Sequence, residues 1–142
     1  MKYLVNKYTI GLLTFGFFLL VVNLYYLNQS EVNVVYSGSI EVQNFYSITN
    51  EKDSLVIDIR TPEEYSIGHL PGAINIDYQN SDFLENLSEL DKKGNYAIYC
   101  RIGTRSADAL LIMQEMGFEN VVELSGGIEA WARGGHTVCL AC

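Results

Sequence analysis

The residues with the clearest chemical potential are Cys100-Arg101-Ile102-Gly103-Thr104-Arg105-Ser106, which lie between a short apolar run and a helix-patterned one. A loop turning directly from strand into helix points several backbone N–H groups at its own centre. Such a nest, backed by the helix dipole, attracts anions. Cys100 at the loop's start would hold its sulfur over that concavity. Backbone donors, dipole and two guanidinium groups all favour thiolate over thiol and make the sulfur a nucleophile. Gly103 permits the tight turn, which a side chain would obstruct. The competing reading of Cys100 is a small buried apolar residue at a strand end. That reading leaves unexplained why two Arg and a Gly follow within five residues, since Arg beside a buried thiol is costly unless an anion belongs there.

Positioning such a loop requires a strand before it and a helix after it, and the chain alternates the two. Ser54 to Ile59 is a short apolar run, β-branched at its centre, and reads as a buried strand. Ala73–Ile76, Tyr96–Tyr99 and Val121–Leu124 read likewise. Between them come helical spacings over Ile40–Ile48, Asp82–Leu90 and Ser106–Met116, with Gly127–Arg133 as a short last helix. Thr61-Pro62-Glu63-Glu64 is a helix start, with Thr as N-cap, Pro at the first helical position and Glu at the third. This alternation predicts an α/β fold around a parallel sheet of four to five strands, with helices on both faces. No internal repeat or low-complexity tract interrupts it.

Composition narrows the function classes. The 142 residues are 49% hydrophobic and 18% charged, which excludes wholesale disorder, and three Cys are too few for a disulfide scaffold. Lys2 and Lys7 are the only charges before Glu31, so the rest holds seven basic against 17 acidic residues, a net −10. An acidic body argues against nucleic acid and against docking on anionic lipid. Tyr8 to Ser30 carries no charge, and about 20 apolar residues suffice to span a bilayer core. Residues 1–30 are therefore expected to form a hydrophobic helix that anchors the chain in a membrane. The positive-inside bias places the body, residues 40–142 after a linker at 31–39, on the extracytoplasmic side. A cleaved signal peptide is the alternative, leaving the body secreted or periplasmic, although no Ala precedes Ala73 and the small residues Ser37-Gly38-Ser39 lie well beyond the apolar centre.

From about Ile40 to Gly135 the chain resembles a single-domain rhodanese. The loop Cys100–Arg105 looks like that family's active-site loop. Asp58-Ile59-Arg60-Thr61-Pro62-Glu63-Glu64-Tyr65, followed by Gly68-His69-Leu70-Pro71-Gly72-Ala73-Ile74-Asn75-Ile76, is similar to its amino-terminal signature. Leu124-Ser125-Gly126-Gly127-Ile128-Glu129-Ala130-Trp131 is similar to its carboxyl-terminal one. The resemblance implies a sulfurtransferase without a cofactor or metal. A donor such as thiosulfate gives its outer sulfur to Cys100 as a persulfide, and a thiophile such as cyanide or a thiol collects it. The amides of Arg101, Ile102, Gly103, Thr104 and Arg105 would stabilise the persulfide anion. The Arg101 and Arg105 side chains would steer and hold the anionic donor. Asp58 is expected to accept hydrogen bonds that fix the loop's shape. Arg60 either pairs with a carboxylate or is an ordinary turn residue.

Other chemistries compete. His69 invites a reading as general base, but a thiolate held in a nest needs none, and Gly68–Gly72 looks like a structural turn. Glu63 and Glu64 look like helix-start charges rather than a catalytic pair, and Trp131 like packing for the last helix. Cysteine phosphatases and arsenate reductases use Cys, five residues, then Arg; here four residues separate Cys100 from Arg105, a smaller cradle suited to one sulfur atom. A non-catalytic binding module on the same scaffold is a further alternative, though such domains typically lack the cysteine. Cys139-Leu140-Ala141-Cys142 supplies possible secondary thiols, able to oxidise to a disulfide or to relay sulfur from Cys100.

Overall fold

The computed structural model describes residues 15–23 and 37–140. The chain divides into two units, Met1–Val34 and Val35–Cys142. In the first, residues 15–23 are helical (α1), and Phe15, Phe17, Phe18, Leu19 and Leu20 are exposed. The bilayer-spanning helix expected within 1–30 extends over residues outside the described ones. Among the described residues no helix is long and apolar enough to cross a membrane.

The second unit is built on a five-stranded, wholly parallel sheet in the order β1-β5-β4-β2-β3. Its strands are β1 (Ser37–Ile40), β2 (Ser54–Asp58), β3 (Ile74–Asn75), β4 (Asn95–Tyr99) and β5 (Asn120–Leu124). The helices are α2 (Val42–Thr49), α3 (Pro62–Ile67), α4 (Phe83–Ser88), α5 (Thr104–Glu115) and α6 (Gly127–Arg133). One expectation needs correction. Ser37–Ser39, assigned to a linker at 31–39, belong to β1, where Ser39 lies opposite Glu123 of β5. Ser-Gly-Ser carries no apolar signal of its own; pairing to β5 makes it a strand, a tertiary effect that overrides local propensity.

Because both faces of a parallel sheet are covered, the central strands are continuously buried rather than alternating. Ile57 and Ile98 on one face pack with Phe83 and Leu87 of α4 and with Ala109, Leu110 and Met113 of α5. The pleat sends Val56, Ala97 and Val122 to the other face, where Phe45 and Ile48 of α2 and Trp131 of α6 are buried. Phe45 and Trp131 meet edge to face, with centroids 6.2 Å apart. Thr61 caps α3 through a reciprocal capping box with Glu64. All strands run the same way, so the loops after β2, β4 and β5 gather at one edge of the sheet, where ligands of α/β proteins bind.

Candidate active site

Cys100 follows β4 and is 1% exposed. Its sulfur accepts the Gly103 N–H at 3.2 Å and lies 3.5 Å from Ser106 Oγ. Gly103 carries φ +97°, so the chain reverses there and α5 begins at the next residue. The N-terminal amides of α5, which have no partner within the helix, therefore lie at the loop. Ile102 stands at the exposed tip of the loop, Thr104 opens α5, and Arg105 follows in its first turn.

The loop is held from beneath by the segment after β5. Ile128 N–H donates to Cys100 O at 2.9 Å and Glu129 N–H to Arg101 O at 3.2 Å. A Cβ on Gly127 would sit 2.5 Å from Cys100 O and from Arg101 C and O, and Gly127 also has φ +60°. Both constraints demand glycine. The Gly126-Gly127 pair is thus the seat of the cysteine loop.

The two arginines have different surroundings. Arg105 donates to both carboxylate oxygens of Glu64, at 2.9 and 3.0 Å. Its pKa is raised, first by that hydrogen bond and then, against the effect of burial, by the charges of Glu64 and Cys100. Glu64 is correspondingly held below the usual carboxylate range by its bond from Arg105. Arg101 points outward, its side chain 67% exposed, and pairs with Glu129 at 2.8 Å. The guanidinium beside the sulfur is therefore that of Arg105, while Arg101 stands on the rim.

Asp58 and Arg60 form a buried brace. Asp58 accepts from Arg60 N, Nε and Nη2 and from the Tyr99 hydroxyl, the last at 2.7 Å. Arg60 Nη2 also donates to Gly68 O at 2.6 Å, and Tyr99 accepts Leu70 N–H at 3.0 Å. Burial opposes the charge on Arg60, but the Asp58 carboxylate outweighs it and raises the pKa. Burial together with the Asp58 charge keeps the Tyr99 phenol protonated far above its ordinary range. The brace ties β2 to the residue before Cys100 and to the turn at Gly68–Leu70.

His69 belongs to that turn. Its ring stacks on Tyr65 with centroids 3.9 Å apart, Nδ1 lies 3.0 Å from Tyr65 O, and its backbone bridges Cys139. Cys139 is disulfide-bonded, Cys100 is a free thiol, and Cys142 lies outside the described residues. Among the described residues no group of His, Cys, Asp and Glu is arranged to hold a metal ion. Sequence reasoning missed Glu64 as the partner of Arg105 and Glu123 behind the sulfur, and it placed Ser106 at the end of the loop without a role. Glu123 had one visible signal, an acid inside the apolar run Val121-Val122-Glu123-Leu124, where burial demands partners.

The rhodanese-like domain family model matches residues 41–133. The chain belongs to the rhodanese-like family. It is 37% identical over 109 residues to a chloroplastic protein of Arabidopsis thaliana named thiosulfate sulfurtransferase 16, covering 66% of this chain and 91% of that one. A protein of Allochromatium vinosum named sulfurtransferase is 38% identical over 88 residues, covering 62% of this chain and 80% of that one. The crystal structure of a rhodanese-related protein from Thermoplasma volcanium superposes with a TM-score of 0.65 at 33% identity, over 72% of this chain and 98% of that one. This rhodanese-like chain keeps a cysteine at the start of its loop, with the backbone donor and the arginine already in place.

Proposed function

We propose that the chain is a sulfurtransferase that carries sulfane sulfur as a persulfide on Cys100. The carrying observation is the sulfur's seat: a buried thiol at the origin of a helix, receiving Gly103 N–H and lying close to a fixed Arg105. The names of its Arabidopsis and Allochromatium relatives support the same class. Arg101 on the rim draws a dianionic donor such as thiosulfate inward, and Arg105 holds its sulfonate end. The Cys100 thiolate attacks the donor's outer sulfur. The donor's S–S bond breaks and sulfite leaves with its electron pair, while the new terminal sulfur carries the negative charge among the loop amides. A thiol or cyanide then attacks that terminal sulfur and Cys100 leaves as thiolate. Four residues between Cys100 and Arg105 make a cradle for one sulfur atom rather than for a phosphate.

The mass of the purified protein after thiosulfate treatment tests this reading. A gain of one sulfur atom, lost on adding cyanide and absent in Cys100→Ser, is expected; no gain overturns it.

The body is further proposed to lie outside the cytoplasm, tethered by the hydrophobic segment within 1–30. The uncharged run from Tyr8 to Ser30, the exposed apolar side chains of α1 and the disulfide on Cys139 support this, since disulfides persist in oxidising compartments. Extraction of the native protein from membranes by detergent but not by alkaline carbonate is the expected result; release by carbonate overturns the anchor. Once an external dithiol reduces that disulfide, a Cys139 or Cys142 thiolate can attack the terminal sulfur of the Cys100 persulfide, and Cys100 leaves as thiolate. Unchanged transfer to dithiol acceptors in Cys139→Ser/Cys142→Ser would exclude this relay.

A further inference from the structure

Behind Cys100 lies a carboxylate that the sulfur-transfer steps above do not use. Glu123 of β5 is 2% exposed, and among the described residues no cation pairs with it. Its two oxygens accept from hydroxyls instead: Oε1 from Ser39 of β1, and Oε2 from Ser106 of α5 at 2.8 Å. A buried carboxylate held only by neutral donors is expensive to keep ionised, because its charge has left water without meeting an opposite one. The same Ser106 Oγ lies 3.5 Å from Cys100 Sγ and 3.0 Å from Gly103 O. A serine hydroxyl has one proton and so can serve only one of these acceptors at a time. If it points at Glu123, its lone pairs face the sulfur and suit a thiol. If it points at the sulfur, Glu123 must hold a proton of its own and donate it.

We propose that Glu123 is the proton partner of Cys100, acting through Ser106. When the thiolate forms, the sulfur's proton passes to Ser106 Oγ while the serine's own proton passes to Glu123 Oε2. The O–H and S–H bonds exchange, and the pair keeps a single negative charge throughout. When sulfur is loaded, Sγ becomes a neutral bridging atom and the charge moves to the outer sulfur. Ser106 then turns back to Glu123, which ionises and releases its proton to solvent. Glu123 is a positioning residue for the reaction, because it reaches the sulfur only through Ser106. The surrounding elements offer few other titratable or charged groups. On α5, Arg105 is drawn towards Cys100 and held by Glu64 of α3; β1 presents the Ser39 hydroxyl and the loop after β4 presents Cys100 itself.

The inference rests on Cys100 being the sulfur carrier, but its test uses no sulfur donor, so the two can fail separately. The full chain is alkylated with iodoacetamide near neutral pH while proton release and ultraviolet thiolate absorbance are followed, with Cys100→Ser as the blank. The expected result is one proton released per Cys100 alkylated whatever the thiolate fraction, because Glu123 ionises as the sulfur loses its charge, whereas an isolated thiol would release only the fraction not already ionised. In Glu123→Gln, which keeps both hydroxyl bonds but cannot take a proton, the thiolate signal remains and proton release falls to the un-ionised thiol fraction. Two groups sharing one proton titrate in two steps, so the wild-type alkylation rate rises twice with pH. Glu123→Gln shows one rise, and its rate at the lower pH increases about twofold, since no carboxylate competes for the charge. Ser106→Thr keeps the two-step profile and Ser106→Ala loses it. Proton release in the wild type no greater than the un-ionised thiol fraction, absence of thiolate signal, or a one-step profile unmoved by Glu123→Gln would each overturn the proposal. The wild-type stoichiometry decides the question even if a variant at Glu123 or Ser106 fails to fold.

Discussion

Glu64 and Arg105, 41 residues apart in sequence, meet through two parallel N–H···O bonds of 2.9 and 3.0 Å. One carboxylate thereby serves two tasks, closing the capping box of α3 and fixing the guanidinium beside Cys100. Glu64→Gln keeps much of the cap but weakens the hold on Arg105. The expected effect is a fall in kcat/KM for thiosulfate of about tenfold, equivalent to about 1.4 kcal/mol, with a small but measurable fall in Tm because the pair is partly solvated. Steady-state sulfite release and thermal unfolding measure the two parts.

The same pair makes a pH prediction. The pKa of Glu64 is lower in the folded state than in the unfolded chain, so its stabilisation is fully present above the unfolded carboxylate value, about 4.3. It is lost as pH falls through the lower folded value. The Tm difference between wild type and Glu64→Gln should therefore be constant from neutral pH down to about 5 and shrink below about 4. Thermal scans across that range check it.

Gly127 tolerates no side chain. Gly127→Ala places a methyl 2.5 Å from Cys100 O and Arg101 O at a positive φ. The variant should lose about 2–3 kcal/mol of stability and persulfide formation should fall at least tenfold, because the cysteine loop is displaced. Chemical denaturation and intact mass after thiosulfate report these separately.

Asp58→Asn breaks the buried brace and strands the Arg60 charge. Removing one partner of a buried ion pair costs about 3–5 kcal/mol, so a large drop in Tm is expected. Tyr99→Phe removes only the phenol contacts to Asp58 and Leu70, and should cost about 1–2 kcal/mol.

Arg101 and Arg105 should separate kinetically. Arg101→Ala removes an exposed rim charge; KM for thiosulfate should rise a few-fold with kcat nearly unchanged, and the effect should fade in high salt. Arg105→Ala removes the fixed guanidinium near the sulfur, so kcat should fall as well.

The strands and helices that carry their own apolar periodicity were legible in sequence, from Ser54–Asp58 through to the short helix around Trp131. So was the cysteine loop, because Cys, Gly and two Arg in six positions are hard to explain as packing. What escaped depended on long-range pairing. Ser37–Ile40 is a strand only because β5 offers it an edge, and its small polar residues gave no warning. Glu64 was legible as a helix cap but not as the partner of a residue 41 positions away. Ser106 and Glu123 lie in a helix and a strand whose periodicity describes the core, whereas their chemistry comes from the sheet edge bringing them together.

The short strand preceding α2 shields what would otherwise be an open margin of β5. A chain trimmed to begin at residue 40 would bare a row of unpaired backbone groups on an apolar strand, a template for aggregation. It would also lack the Ser39 hydroxyl that solvates Glu123. A well-behaved soluble fragment must therefore retain residues 37–39.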